Sequence, residues 1–120
     1  MELDASEMAD LRKLIKALGK FNAISSQMQV STILTILQIA EYEASRKDWQ
    51  LSDLEKAIGL LSGTSSRNVY YWASGARGVT KAMDYIRIGF DPVDRRRRAI
   101  NFTAQGKAFI DKVLSTFKKG

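Results

Sequence analysis

Hydrophobic positions in the first 45 residues recur at the three- and four-residue spacing of amphipathic helices. Met8, Leu11, Leu14, Ile15, Leu18 and Phe21 form one such stripe. Asp4 and Glu7 stand before it at capping-box spacing, and Lys13, Lys16 and Lys20 come later, the order that complements a helix dipole. This predicts a first helix over 4–22. Val30, Ile33, Leu34, Leu37 and Ala40 supply the apolar face of a second helix, from about Ser26 to Ser45. Trp49–Leu51 reads as a short extended piece, a first strand. Ser52 and Glu55 repeat the capping-box spacing ahead of a short third helix with Leu54, Ala57 and Ile58 inward, and Gly59 is its expected C-cap. Ser62 or Thr64 starts a fourth helix that holds Val69, Trp72 and Ala73 at core spacing.

Gly75 and Gly78 then break the helical pattern, and 74–82 reads as a loop. From Asp84 the period drops to two, with Ile86, Ile88 and Phe90 on one side and Tyr85, Arg87 and Gly89 on the other. Asp91, Pro92, Val93 and Asp94 signal a turn, and Arg96, Arg98, Ile100 and Phe102 share a face of the returning strand. Thr103 caps a last helix whose stripe is Phe109, Ile110, Val113, Leu114 and Phe117. The order helix, helix, strand, helix, helix, hairpin, helix is that of a winged helix-turn-helix. The predicted fold is mainly α with a small β-hairpin. One domain is expected over 1–120: an N-terminal helix (4–22), a helix-turn-helix region (26–74), a wing (84–102) and a C-terminal helix (103–118). The two terminal helices are expected to serve dimerisation, because both stripes must be covered and so small a domain leaves apolar surface over for a second subunit.

Composition narrows the chemistry. There is no cysteine and no histidine among the 120 residues, which excludes disulfides, thiolate or imidazole metal sites and imidazole general bases. No apolar run reaches membrane-spanning length and no signal-peptide pattern opens the chain, so a cytoplasmic protein with no membrane association is expected. The net charge of +6 is unevenly spread. Residues 1–60 carry seven basic and nine acidic side chains, whereas 61–120 carry twelve and four. A basic half suits a domain that turns one face to a polyanion.

No carboxylate pair sits in a catalytic or metal-ligating motif; Asp91 and Asp94 share a turn, where aspartate is common for backbone reasons. The glycines lack phosphate-loop spacing. We therefore expect no enzymatic activity, no catalytic or metal site and no cofactor. The stretch from Arg67 to Arg98 carries eight basic residues and three aspartates. Thr64, Ser65, Arg67 and Asn68 crowd the start of the fourth helix, where small polar groups admit phosphates and Arg67 and Asn68 can reach base edges. Some of that cluster must also cap the helix. Tyr71 is assigned to the same DNA-facing side, and Trp72 to the core. Arg95, Arg96, Arg97 and Arg98 follow the hairpin turn; a solvated tip is the alternative, but four adjacent arginines repel one another without a partner anion.

The run Asp91-Pro92-Val93-Asp94-Arg95-Arg96-Arg97-Arg98, followed by Asn101-Phe102-Thr103-Ala104-Gln105-Gly106, resembles the wing and following helix start of the MarR family of transcription regulators. Leu51-Ser52-Asp53-Leu54 to Ile58-Gly59-Leu60, then Ser65-Ser66-Arg67-Asn68-Val69, resembles that family's helix-turn-helix. The similarity covers about 49–106. It implies a dimer whose fourth helix reads the major groove while a wing arginine, Arg96 by the motif, enters the minor groove with Asp94 orienting the wing. The 74–82 loop is longer than the family's, the terminal helices are shorter, and the ligand pocket between dimerisation and DNA-binding regions is expected to be reduced, with no effector.

The expected function is sequence-specific binding of double-stranded DNA at an inverted-repeat operator by a homodimeric transcription regulator. The alternatives are a replication or packaging protein of the same fold, or a protein–protein adaptor using the basic face.

Overall fold

The computed structural model describes residues 1–45, 48–60, 63–74, 83–90 and 98–118. The described chain runs α1 (Ala5–Ile24), α2 (Val30–Ser45), α3 (Leu51–Ile58), α4 (Thr64–Ser74), β1 (Ile86–Phe90), β2 (Arg98–Phe102) and α5 (Ala104–Ser115).

The first capping box forms as the sequence predicts: the Glu7 amide donates to the Asp4 carboxylate at 2.8 Å and the Asp4 amide to Glu7 at 3.1 Å. The helix runs two residues past the expected end, to Ile24, and stops where Ser25 turns extended and its hydroxyl accepts from the Gln27 amide. Residues 26–29 therefore form a turn instead of the first turn of α2, which opens at Val30 with the Thr32 and Ile33 amides on the Gln29 carbonyl.

Two local expectations are corrected around residue 50. Among the described residues no strand forms at 48–50, because the Trp49 ring stacks on Tyr42 of α2 at 5.1 Å and ties this piece to a helix instead of a sheet edge. The α3 box uses Gln50 and Asp53, not Ser52 and Glu55: the Gln50 amide donates to the Asp53 carboxylate at 2.7 Å. Gly59 ends the helix in the left-handed region (φ 77°), with its own amide and that of Leu60 on the Glu55 carbonyl.

The hairpin pairs antiparallel, with Ile86 opposite Phe102, Ile88 opposite Ile100 and Phe90 opposite Arg98. Ile86 is buried while Arg87 and Asn101 face outward, the period-two reading of the sequence. Its base is fastened to α4: the Asp84 amide donates to the Ala73 carbonyl and the Tyr85 amide to the Trp72 carbonyl, at 3.2 and 2.9 Å. Thr103 caps α5 by accepting from the Gly106 amide at 3.0 Å, and its hydroxyl donates to the Asp84 carbonyl at 2.7 Å. The α5 helix closes at Ser115 instead of 118, the Ser115 and Thr116 hydroxyls donating back to the Lys112 and Val113 carbonyls.

One core collects these elements. Phe21 of α1, Ile36 and Ile39 of α2, Leu54 of α3, Val69 and Trp72 of α4, Ile86 of β1 and Phe109 and Val113 of α5 are all buried. The rings interlock: Phe21 stands edge-on to Phe109 at 5.1 Å, and Tyr85 stacks on Phe109 at 5.0 Å and on Trp72 at 5.7 Å. By contrast, α1 buries only Ala17 and Phe21, leaving Leu11, Leu14, Ile15 and Leu18 exposed, Ile15 by 61%.

Gly106 is needed for a close approach. A Cβ at this position would collide with the Tyr85 carbonyl and press on the Phe102 ring, so the first turn of α5 can lie on the base of the hairpin only with glycine there. Gly106→Ala should therefore lower stability by about 3 kcal/mol through forced backbone displacement, measured as a fall in the thermal or denaturant midpoint.

Candidate nucleic-acid interface

The helical period divides α4 into two faces. Ser65, Asn68, Val69, Trp72 and Ala73, spaced i, i+3, i+4, i+7 and i+8, are all buried. The opposite face carries Thr64, Arg67, Tyr70 and Tyr71, of which Arg67 and Tyr70 are exposed and Thr64 and Tyr71 half-buried. Val69 and Trp72 set this phase, since a helix of this length must turn its large apolar groups inward.

Two of the residues assigned to DNA from the sequence lie on the inner face, and their placement is a correction. Ser65 is fully buried and its hydroxyl donates to the Glu55 carboxylate of α3 at 3.0 Å. Asn68 is 7% exposed and its amide lies against α2. There the Thr32 hydroxyl donates to Asn68 Oδ1 at 3.2 Å, and Asn68 Nδ2 donates to Thr35 Oγ1 at 3.3 Å. Their position relative to Val69 and Trp72 in the sequence carried this information: Ser65 is four before Val69, and Asn68 four before Trp72. Residue type near a helix start suggests a reader of bases, but helical phase turns Ser65 and Asn68 inward as struts.

Tyr71 occupies an intermediate position. Its ring stands edge-on to Trp72 at 5.1 Å, and burial raises its phenol pKa above the ordinary value. The neighbouring Tyr85 phenol is raised by its own burial first and by Tyr71 second. Both stay neutral hydroxyls at physiological pH, able to donate a hydrogen bond. Tyr70, which the sequence reading did not assign to the interface, shares the outer face with Arg67 one turn away. Adding three to the position of Arg67 would have found it.

Asp94, Arg95, Arg96 and Arg97 lie outside the described residues. Arg98 opens β2, with its backbone paired to Phe90. On the outward side of the hairpin, Arg87 and Asn101 sit directly opposite one another and both are exposed. Thr64, Arg67, Tyr70 and Tyr71 on α4, and Arg87 and Asn101 on the hairpin, thus belong to elements joined directly by the Trp72–Tyr85 and Ala73–Asp84 backbone bonds. These side chains offer guanidinium and amide donors, hydroxyls and an exposed aromatic ring. Groups of these types can hydrogen-bond and charge-pair with phosphates and base edges. Among the described residues no group of three or more carboxylates is placed to hold a metal ion, and no helix is long and apolar enough to cross a membrane.

No protein-family model and no curated protein matches the chain. Among solved structures it is similar to a MarR-like transcriptional regulator from Thermotoga maritima, with a TM-score of 0.57 and 20% identity over 97% of this chain and 77% of that one. Among the described residues, five helices and a two-stranded antiparallel hairpin, in this order and with this packing, give the chain the winged-helix fold of a MarR-like regulator.

Proposed function

We propose that the protein is a dimeric, non-enzymatic transcription regulator that binds double-stranded DNA in a sequence-specific manner. In this reading α4 enters the major groove and the arginine-rich hairpin meets the adjacent minor groove. The observation that carries it is the outward face of α4, where Arg67 and Tyr70 stand exposed on a helix whose opposite face is wholly buried. A helix held this way on a winged-helix frame presents side chains to a groove without moving its core. The local charge supports the same reading, since eight basic residues against three acidic ones lie between Arg67 and Arg98. Arg67 and Thr64 are assigned to base edges and phosphates, Tyr70 and Tyr71 to the flank of the helix. Arg95, Arg96, Arg97 and Arg98 are assigned to phosphates and the minor groove, with Asp94 orienting the wing.

The dimer rests on the terminal helices. Leu11, Leu14, Ile15 and Leu18 of α1, together with Leu114 of α5 and Phe117 just past its end, are all more than 40% exposed. A second copy related by a two-fold axis would cover this surface, and its recognition helix would then lie about 34 Å from the first, matching an inverted repeat. Light scattering should report twice the 13.5 kDa chain mass, falling to the single mass in an Ile15→Glu, Leu18→Glu variant that keeps its helical circular dichroism. A wild-type monomer at micromolar concentration, with and without DNA, would contradict the assembly.

Selection from random duplexes is the decisive experiment. An enriched inverted repeat supports a regulator; binding without enrichment would point to a replication or packaging protein, and no binding to an adaptor. On the selected site the logarithm of the binding constant should fall against the logarithm of salt with a slope of about −5, corresponding to roughly six neutralised phosphates.

Arg67→Ala should cost about 1–3 kcal/mol on the selected site and relax specificity at one or two positions. Arg96→Ala should weaken selected and unrelated DNA alike and make the salt slope shallower. The thermal midpoint should hold in both, and a loss of folding in Arg96→Ala with affinity per folded molecule intact would sink the wing assignment.

A further inference from the structure

Between α2 and α4 lies a buried polar cluster whose members each have a partner. Thr32 and Thr35 are one turn apart on α2, and the Asn68 amide reaches across from α4 to both. The direction of every bond is determined. The Thr35 hydroxyl gives its proton to the Ser31 carbonyl at 2.7 Å, so its oxygen must accept from the Asn68 NH2. That leaves the Asn68 carbonyl to accept from Thr32. One turn further along α4, the Trp72 indole donates to the Thr32 backbone carbonyl at 2.8 Å.

Stability alone does not call for this arrangement. Replacing Asn68 by leucine and both threonines by valine would bury more apolar surface and strand no polar atom, and exchanging every partner for apolar groups is often neutral or stabilising. What apolar contact lacks is direction. The rest of the inner face of α4 near this point is Ser65, Val69 and Ala73, three small residues. Trp72 anchors the C-terminal half one turn on, but alone these three small residues would let the N-terminal half of the helix roll on α2 at little cost. A roll by one residue would turn the outward side chains through about 100° and move them about 1.5 Å along the axis. An amide with an acceptor at one end and a donor at the other fits between two threonines in one register only.

We propose that Asn68, held between Thr32 and Thr35, is a positioning residue that sets the register of α4 on α2 and so the direction in which Arg67 and Tyr70 point. Asn68 touches no base; it acts through the helix it anchors. The inference rests on the reading of α4 as a DNA-recognition helix for its functional half, while the register itself is a property of the free protein.

The test compares wild type with an apolar replacement (Asn68→Leu with Thr32→Val and Thr35→Val) and a conservative change (Thr35→Ser) that keeps the accepting hydroxyl but loses a core methyl. Three quantities are read: the thermal midpoint, the exchange rate of the Trp72 indole proton without DNA, and the dissociation constants for a selected and a scrambled duplex. The apolar replacement should stay folded, exchange its indole proton at least tenfold faster, and lose at least tenfold in the ratio of the two constants. Its affinity for scrambled duplex and its salt slope should match wild type. Thr35→Ser should melt lower yet keep both the ratio and the slow indole exchange, so that stability and discrimination move in opposite directions.

A folded apolar variant with the wild-type ratio overturns the role in readout, and one with wild-type indole exchange overturns the register lock. If wild type itself does not distinguish the duplexes, the regulator reading fails, and the exchange measurement still decides the register. Should the apolar variant not fold, Thr32→Val, which removes one hydroxyl, is read by the same two criteria.

Discussion

The placement of Trp72 is the constraint on which the other elements depend. Its side chain is fully buried, its indole donates to α2, and its rings lie among Phe21 of α1, Tyr85 at the foot of the hairpin and Phe109 of α5. Its backbone carbonyl accepts from Tyr85, so the same residue starts the hairpin at a defined place. One side chain on α4 therefore touches α1, α2, α5 and the residue at the foot of the hairpin, and α3 is tied to α4 through Glu55 and Ser65. A large aromatic group with a polar edge can do this where leucine could not. It fills the centre of a small core and spends its one donor on a defined acceptor. The dependence is mutual, since Phe21, Phe109 and Tyr85 also pack on one another around the ring.

This arrangement explains how a short helix can present a rigid face. The α4 helix has only 11 residues, too few to be stable in water on its own. Its helicity comes from tertiary contacts along the inner face, while Arg67 on the outer face is exposed. That division lets Arg67 vary with little effect on folding, while the inward polar residues act on orientation. Polar groups at the start of this helix consequently separate into two kinds with different physical effects, although in composition they form a single cluster.

Much of this was legible in the sequence. The Asp4–Glu7 box, the Gly59 cap, the Thr103 cap, the change of period at the hairpin and the burial of Trp72 all depend on neighbours a few residues away, and each is found where the pattern puts it. The errors came where two local signals competed or where a distant partner decided. Gln50–Asp53 and Ser52–Glu55 both have capping spacing, and the second was lost because Glu55 is engaged by Ser65, ten residues on. Trp49 looked like strand because aromatic residues favour sheets; its stacking partner is Tyr42 on α2. Asn68 and Ser65 looked like readers because of their residue type, and only helical phase reveals their direction. The partners of Asn68 lie more than 30 residues away, beyond the reach of any local pattern.

The uneven anchoring of α1 completes the physical picture. A 20-residue helix is about 30 Å long, yet its buried residues are Ala17 and Phe21, both in its second half. Phe21 joins the Trp72 cluster, so that end is fixed with respect to α4, while the apolar stripe nearer the N-terminus faces solvent. A helix clamped at one end and greasy at the other transmits the position of whatever covers it. If a second copy covers the stripe, the geometry of that contact passes along α1 and through Phe21 to Trp72 of α4. Spacing between the two copies of α4 would then be set by aromatic packing in each core.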